Sequence, residues 1–378
     1  MSHDPAIDLL RDLVAIDSVN PSLVPGAAGE AQIASAIAAH LRQIGLDVHV
    51  QEVAPGRPNV IGVLEGQAPG RSLMFCGHMD TVGVEGMEAP FAPAVRSGRL
   101  YGRGSQDMKG GVAAMIDAAR LTAERGLSRG RLIVAAVVDE EFASIGADAL
   151  VKEWSADGAV VTEPTDLQVG VGHKGFAWID IETHGRAAHG SRPRDGRDAI
   201  MRMGRVLRQL ETLDRELQAR PPHPLMGSGS LHASIVSGGR ELSSYPDRCR
   251  LQMERRTIGA ESGDSALQEV LGILDGLSRD DAEFEASAVL AFSRPPYELA
   301  PDHELPRQLV EAMQSLGRGP AAVGMSFWTD AAVLGGVGIP TVLFGPGGAG
   351  LHSREEYVTT DDVLTCRDAL SRLVVSWC

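Results

Sequence analysis

The chain has 378 residues, 43% of them apolar, which suits two hydrophobic cores better than one. Its formal net charge of −15 argues against a nucleic-acid or anionic-membrane partner, since both are recognised through basic surfaces. No apolar run reaches the roughly eighteen residues of a membrane span, and the start Met1-Ser-His-Asp-Pro lacks a basic-then-apolar leader pattern, so the cytoplasm is the expected location.

Helical spacing of apolar residues predicts helices over 4–16 and 29–44, with Gly45 as the stop signal of the second. Short apolar runs then predict strands at 59–64, 72–76, 132–138 and 159–162, with a helix over 110–121 between them. Strands alternating with helices indicate an α/β sheet flanked by helices. From about 175 the texture changes. An alternating strand at 176–183 leads to a Gly/Arg-rich loop at 185–197, a helix over 198–217, strands at 231–237 and 249–255, a helix over 262–279 and a strand at 283–292. Strand–helix–strand–strand–helix–strand fits a small α+β sandwich. The α/β texture resumes at 293, with a helix over 304–316 and a strand at 341–344. The expected organisation is a discontinuous first domain, 1–174 and 293–378, interrupted by an inserted domain, 175–292. The four cysteines, Cys76, Cys249, Cys366 and Cys378, are scattered and read as reduced thiols.

The chemistry lies at strand ends. The run 73–76 is followed by His78 and Asp80, the run 133–138 by Asp139-Glu140-Glu141, the run 159–162 by Glu163, and the run 341–344 by a glycine-rich loop and His352. In open α/β sheets, sites form at the carboxyl ends of strands. Asp107 is a fifth candidate, in a glycine-flanked segment ahead of a helix. Singly, each is an ordinary polar loop residue; repetition at four strand ends points to a site. Two histidines with several carboxylates suit zinc better than magnesium, which prefers oxygen ligands.

The motifs GHMDTV (77–82), GSQDMKGG (104–111), DEE (139–141), EPT (163–165) and GPGGAGLHSREEYV (345–358), in this order, resemble a family of zinc amidohydrolases and exopeptidases. That family includes acetylornithine deacetylase, succinyl-diaminopimelate desuccinylase, aminoacylase and carboxypeptidase G. The resemblance implies a zinc-exopeptidase-like catalytic domain with a mixed central sheet, and a ferredoxin-like inserted lid domain that forms a homodimer. It implies two Zn2+ ions, with Co2+ or Mn2+ as possible substitutes. His78 and Glu163 would serve one ion, Glu141 and His352 the other, with Asp107 as the bridge. Asp80 would orient His78 through its other ring nitrogen. Glu140 would be the general base, taking a proton from water as it attacks the amide carbon and handing it to the leaving nitrogen. His189, in the Gly/Arg-rich loop, would stabilise the oxyanion in a neighbouring subunit, and Arg256 would hold a substrate carboxylate.

Three departures from the family pattern bear on substrate choice: Ser243 where the lid often has Asn, Gly190 where Ser is commoner after the histidine, and Trp328 in the Phe-Trp-Thr-Asp segment 327–330. Trp328 is expected to fill space near the substrate. The loop 345–350 matches GxGxxG, but no helix, strand and acid follow as a dinucleotide site needs; Gly347 is expected instead to bring backbone close to substrate and metal. No GxSxG elbow or P-loop is present. The expected activity is hydrolysis of the amide of a small N-acyl amino acid. An exopeptidase or dipeptidase is the alternative within the family, and a metal-binding protein without catalysis the alternative outside it. Glu163, where many peptidases of the family carry Asp, leans toward the deacylase.

Overall fold

The computed structural model describes residues 4–378. It divides into two compact units. The first runs to Val171 and takes up Leu299–Val323 and Thr329–Cys378; the second comprises Gly172–Glu298 and Gly324–Trp328.

The first unit is built on a mixed sheet. Its strands lie in the order Asp47–Ala54, Arg57–Glu65, Arg131–Val137, Ser72–His78, Gly158–Val161, Thr341–Leu343, Val169–His173. The middle four are mutually parallel, so their carboxyl ends share one edge. These strands are apolar throughout because helices cover both faces. Leu73 to Cys76 and Leu132 to Val138 are fully buried. Asp47–Ala54 was not foreseen: it pairs antiparallel with Arg57–Glu65 at the sheet edge, is largely exposed, and carries no apolar run.

The helix Gly110–Arg125 is buried along most of its length, and its small first residues explain how. A β-carbon at Gly111 would lie 1.9 Å from the Thr162 carbonyl oxygen, so only glycine lets the helix start sit against the strand end that carries Glu163. Helix Pro5–Val14 begins with a proline at its first turn and Asp4 as cap, the Asp4 carboxylate accepting the Ala6 N–H at 3.0 Å. A small second sheet joins Gly348–Ala349, Tyr357–Thr359, Arg99–Tyr101 and Ala94–Arg96, tying the late loop to the segment ahead of Asp107.

The second unit is an antiparallel sheet, ordered Ser230–Gly238, Arg248–Thr257, Gly175–His184, Glu285–Arg294, with the helices Ala199–Ala219 and Gly263–Asp280. Ala177, Ile179 and Ile181 point into a core with Met203, Val206, Leu210, Leu251, Met253, Val270 and Leu274. The alternate residues Trp178, Asp180 and Glu182 are only partly buried, which is the period-2 pattern of a strand with one covered face. Both helices start on side-chain caps, Asp198 on the Met201 N–H and Ser262 on that of Ser265.

Candidate metal centre

The shared edge of the four parallel strands gathers every expected ligand of the first unit. His78 ends its strand, Glu140 and Glu141 follow Val137–Asp139, Glu163 follows Val161, and His352 comes from the loop after Leu343. Asp107 lies between the histidines, with Oδ1 3.1 Å from His78 Nε2 and Oδ2 3.2 Å from His352 Nε2. His352 Nε2 is also 3.1 Å from Glu141 Oε2, while His78 Nε2 stands 3.9 Å from both Glu140 Oε2 and Glu163 Oε1. Two groups of metal-type donors result, His78–Asp107–Glu141 and His78–Glu140–Glu163. The other ring nitrogen of His78 faces Asp80, 3.0 Å from its carbonyl oxygen and 3.5 Å from Oδ1.

Burial and the crowding of carboxylates govern the electrostatics of the site. Burial, reinforced by the charge of Glu163, pushes the Glu140 carboxyl well up. Burial raises Glu163 likewise, with Asp107 adding to it against the opposing pull of His78. Burial and the neighbouring Asp107 carry Glu141 up to about 7. The histidines answer. Hydrogen bonds to Asp107 and Glu141 lift His352 to about 10. Burial would lower His78, but Asp107 and Asp80 hold it well up. Glu141 Oε1 and Glu163 Oε1 are buried with no hydrogen-bond partner. Buried carboxylate oxygens without donors are costly, and a divalent cation is the group that would satisfy them. Mixed imidazole and carboxylate donors fit zinc-class ions.

The remaining expected residues are placed as follows. His189 sits exposed in its loop, where Nδ1 accepts the Ser191 N–H at 3.2 Å and lies 2.8 Å from Ser191 Oγ. A backbone N–H cannot accept, so Nδ1 is the acceptor of this contact and the ring N–H is on Nε2. Gly190 donates to the Ser243 carbonyl at 2.7 Å, and a β-carbon on it would lie 3.0 Å from that oxygen, a tight contact. Arg256 is partly exposed, with Nε donating to Glu254 Oε1 at 2.6 Å and its guanidinium 5.7 Å from the Phe176 ring centre. Trp328 belongs to the second unit, is 9% exposed, packs against Phe176 and His173, and donates its indole N–H to the Pro295 carbonyl at 3.1 Å. Gly347 lies close to the Asp166 and Asp362 carboxylates, 2.6 and 2.7 Å from where a β-carbon would stand.

Residues behind the ligands were not foreseen. Asn20, Arg57, Glu30 and Asp139 form a buried network under Asp80. Glu356 is 1% exposed and takes the backbone N–H groups of Gly104, Gln106 and Asp107. Lys109 is fully buried, donates to the Ile16 carbonyl at 2.8 Å, and is brought down to about 7 by that burial. Glu356 and Lys109 both lie inside motifs quoted above, so their position was legible though their task was not.

Convergent imidazoles and carboxylates at the carboxyl edge of a mixed sheet define a candidate metal centre, and the family to which the chain belongs makes it that of a metal-dependent amide hydrolase. The chain belongs to peptidase family M20/M25/M40, whose sequence pattern matches residues 74–376. It is 32% identical to acetylornithine deacetylase of Myxococcus xanthus, covering 98% of this chain and 96% of that protein. It is 28% identical to N-formyl-4-amino-5-aminomethyl-2-methylpyrimidine deformylase of Bacillus subtilis, covering 94% and 91%. Its fold is similar to that of aminopeptidase PepT from Bacillus cereus, with a TM-score of 0.80 at 19% identity over 98% of this chain and 97% of that one. It is also similar to Bacillus subtilis YXEP, described as a dinuclear metal-binding peptidase, with a TM-score of 0.75 at 17% identity over 98% and 97%.

Proposed function

We propose that the protein is a two-zinc deacylase that hydrolyses the amide of a small N-acyl amino acid. The observation that carries this reading is Asp107, which offers one oxygen to each histidine, with Glu140 alongside. His78 and Glu163 would hold one ion, His352 and Glu141 the other, and Asp107 would serve both. When bound, the ions supply the acidity that makes water a nucleophile near neutral pH and polarise the acyl oxygen. Glu140 takes the proton and passes it to the departing nitrogen, a task its place beside His78, 3.9 Å from Nε2, allows. His189, whose Nδ1 accepts from Ser191, would offer its Nε2–H to the developing oxyanion across a homodimer, and Arg256 would receive the substrate carboxylate. The two relatives named above, a deacetylase and a deformylase, support an acyl group of one or two carbons. A cytoplasmic enzyme fits the reduced cysteines, three of which are buried.

The test is release of free amine from a panel of N-acetyl, N-formyl and N-succinyl amino acids and dipeptides with zinc supplied. Preference for one N-acyl amino acid is expected. Hydrolysis of dipeptides alone would move the protein to the exopeptidases.

A further inference from the structure

Asn20 is fully buried, and its side chain uses every hydrogen-bonding position it has. Its Nδ2 donates to Asp80 Oδ2 at 2.7 Å and to Asp139 Oδ1 at 3.1 Å. Its Oδ1 accepts from Arg57 Nη2 at 3.2 Å and from the Ser22 backbone N–H at 2.8 Å. Its own backbone N–H donates to the carbonyl of Thr81, next to Asp80, at 2.9 Å.

The two acids that it joins grip the same short segment. Asp80 accepts the backbone N–H groups of Glu140 and Glu141, both at 3.2 Å. Asp139 precedes those residues and turns the chain with a φ of 68°, a left-handed conformation that a side chain disfavours and surroundings must hold. What holds it is visible. Asp139 accepts from Asn20, from Ser22 Oγ at 3.2 Å and from the Ala143 N–H at 3.2 Å, and pairs with Arg57 at 2.8 Å. Arg57 is anchored from behind by Glu30, at 2.8 and 2.5 Å.

We infer that Asn20 is a positioning residue for Glu140 and Glu141, clamping Asp80 to Asp139 with Arg57 as its backing. An amide suits the place because it donates to two carboxylates at once without adding charge. This rests on the reading that Glu140 moves protons and Glu141 binds metal. Groups that orient metal ligands commonly change affinity or activity by roughly 10- to 100-fold when removed.

The experiment compares Asn20→Ala, Asn20→Ser and Arg57→Lys with the parent protein. It measures zinc affinity by competition with a chromophoric chelator, and kcat and KM on the best substrate of the panel. Asn20→Ala is expected to weaken zinc and lower kcat, each by roughly 10- to 100-fold, with KM changed by less than about threefold. Asn20→Ser and Arg57→Lys should fall between, and Asn20→Ser carries the test where the alanine variant does not fold. Zinc affinity and kcat at parental values in a folded Asn20 variant, with only thermal stability reduced, would overturn the clamp. Weakened zinc in a protein that hydrolyses no member of the panel would uphold the clamp and remove the deacylase reading, so the two fail separately.

Discussion

The buried carboxylate of Glu356 accepts the backbone N–H of Asp107 at 3.1 Å, and so fixes the candidate bridging ligand by its main chain. The same carboxylate takes the Gly104 and Gln106 N–H groups and pairs with Arg103 at 2.6 Å. Glu356→Gln would present an amide N–H where a donor already points. We expect a stability loss on the order of 3 kcal/mol in denaturant melts, the scale of a broken buried pair, together with weaker zinc binding in chelator competition. A variant that matches the parent in both would show that the Asp107 loop holds itself.

Glu140→Gln keeps the shape of the cluster and removes its proton carrier. Metal content measured by elemental analysis should be unchanged, while turnover falls by roughly two to four orders of magnitude. Near-normal turnover would shift the proton transfer to another group.

His173 gives the fold an acid limit. Its ring is fully buried in the second unit beside Tyr297 and Trp328, and burial lowers its pKa to about 4. As pH falls below the ordinary histidine value of about 6.5, the unfolded chain binds a proton that the folded one refuses. Stability therefore drops between about 6.5 and 4, by on the order of 3 kcal/mol in total, and levels off below. Equilibrium unfolding across this window should show a shallower slope for His173→Phe than for the parent; equal slopes would place the acid sensitivity elsewhere.

Gly111→Ala sets helix propensity against packing. Alanine favours helix by roughly 1 kcal/mol over glycine, yet its β-carbon would meet the Thr162 carbonyl oxygen at 1.9 Å. Packing should win, with a net loss of roughly 1–3 kcal/mol in thermal unfolding. A stabilised variant would mean that the helix start can move away from Glu163.

His78, Glu141, Glu163 and His352 were legible because each comes after an apolar strand, and an abrupt change from Val138 to Asp139-Glu140-Glu141 is visible in one dimension; Asp107 stood out only by its glycine-rich motif. Asn20 was not, since Ser18-Val-Asn20-Pro21 reads as a turn, and only the tertiary fold puts it under Asp80 and Asp139. Glu356 stands in Ser353-Arg-Glu-Glu-Tyr357, a run that looks solvated but hides one acid entirely. For Trp328 the ring contacts with Phe176 and His173 were not legible either, since those residues lie about 150 positions away in sequence and only the fold brings them together. Strands without apolar runs, such as Asp47–Ala54, escape periodicity because their partner, not their composition, defines them.

The hold of Glu356 on Asp107 also has a timescale. The two residues are 249 positions apart. At ribosomal speeds of roughly 5–20 residues per second, Asp107 emerges about 10 to 50 s before the carboxylate that shapes its loop. His352 arrives late as well, so a growing chain presents His78, Asp107, Glu140, Glu141 and Glu163 as an incomplete set. Long loop closures of this kind come late in folding. Of the four central parallel strands, Ser72–His78, Arg131–Val137 and Gly158–Val161 are synthesised long before Glu356, whereas Thr341–Leu343 comes out almost together with His352 and Glu356.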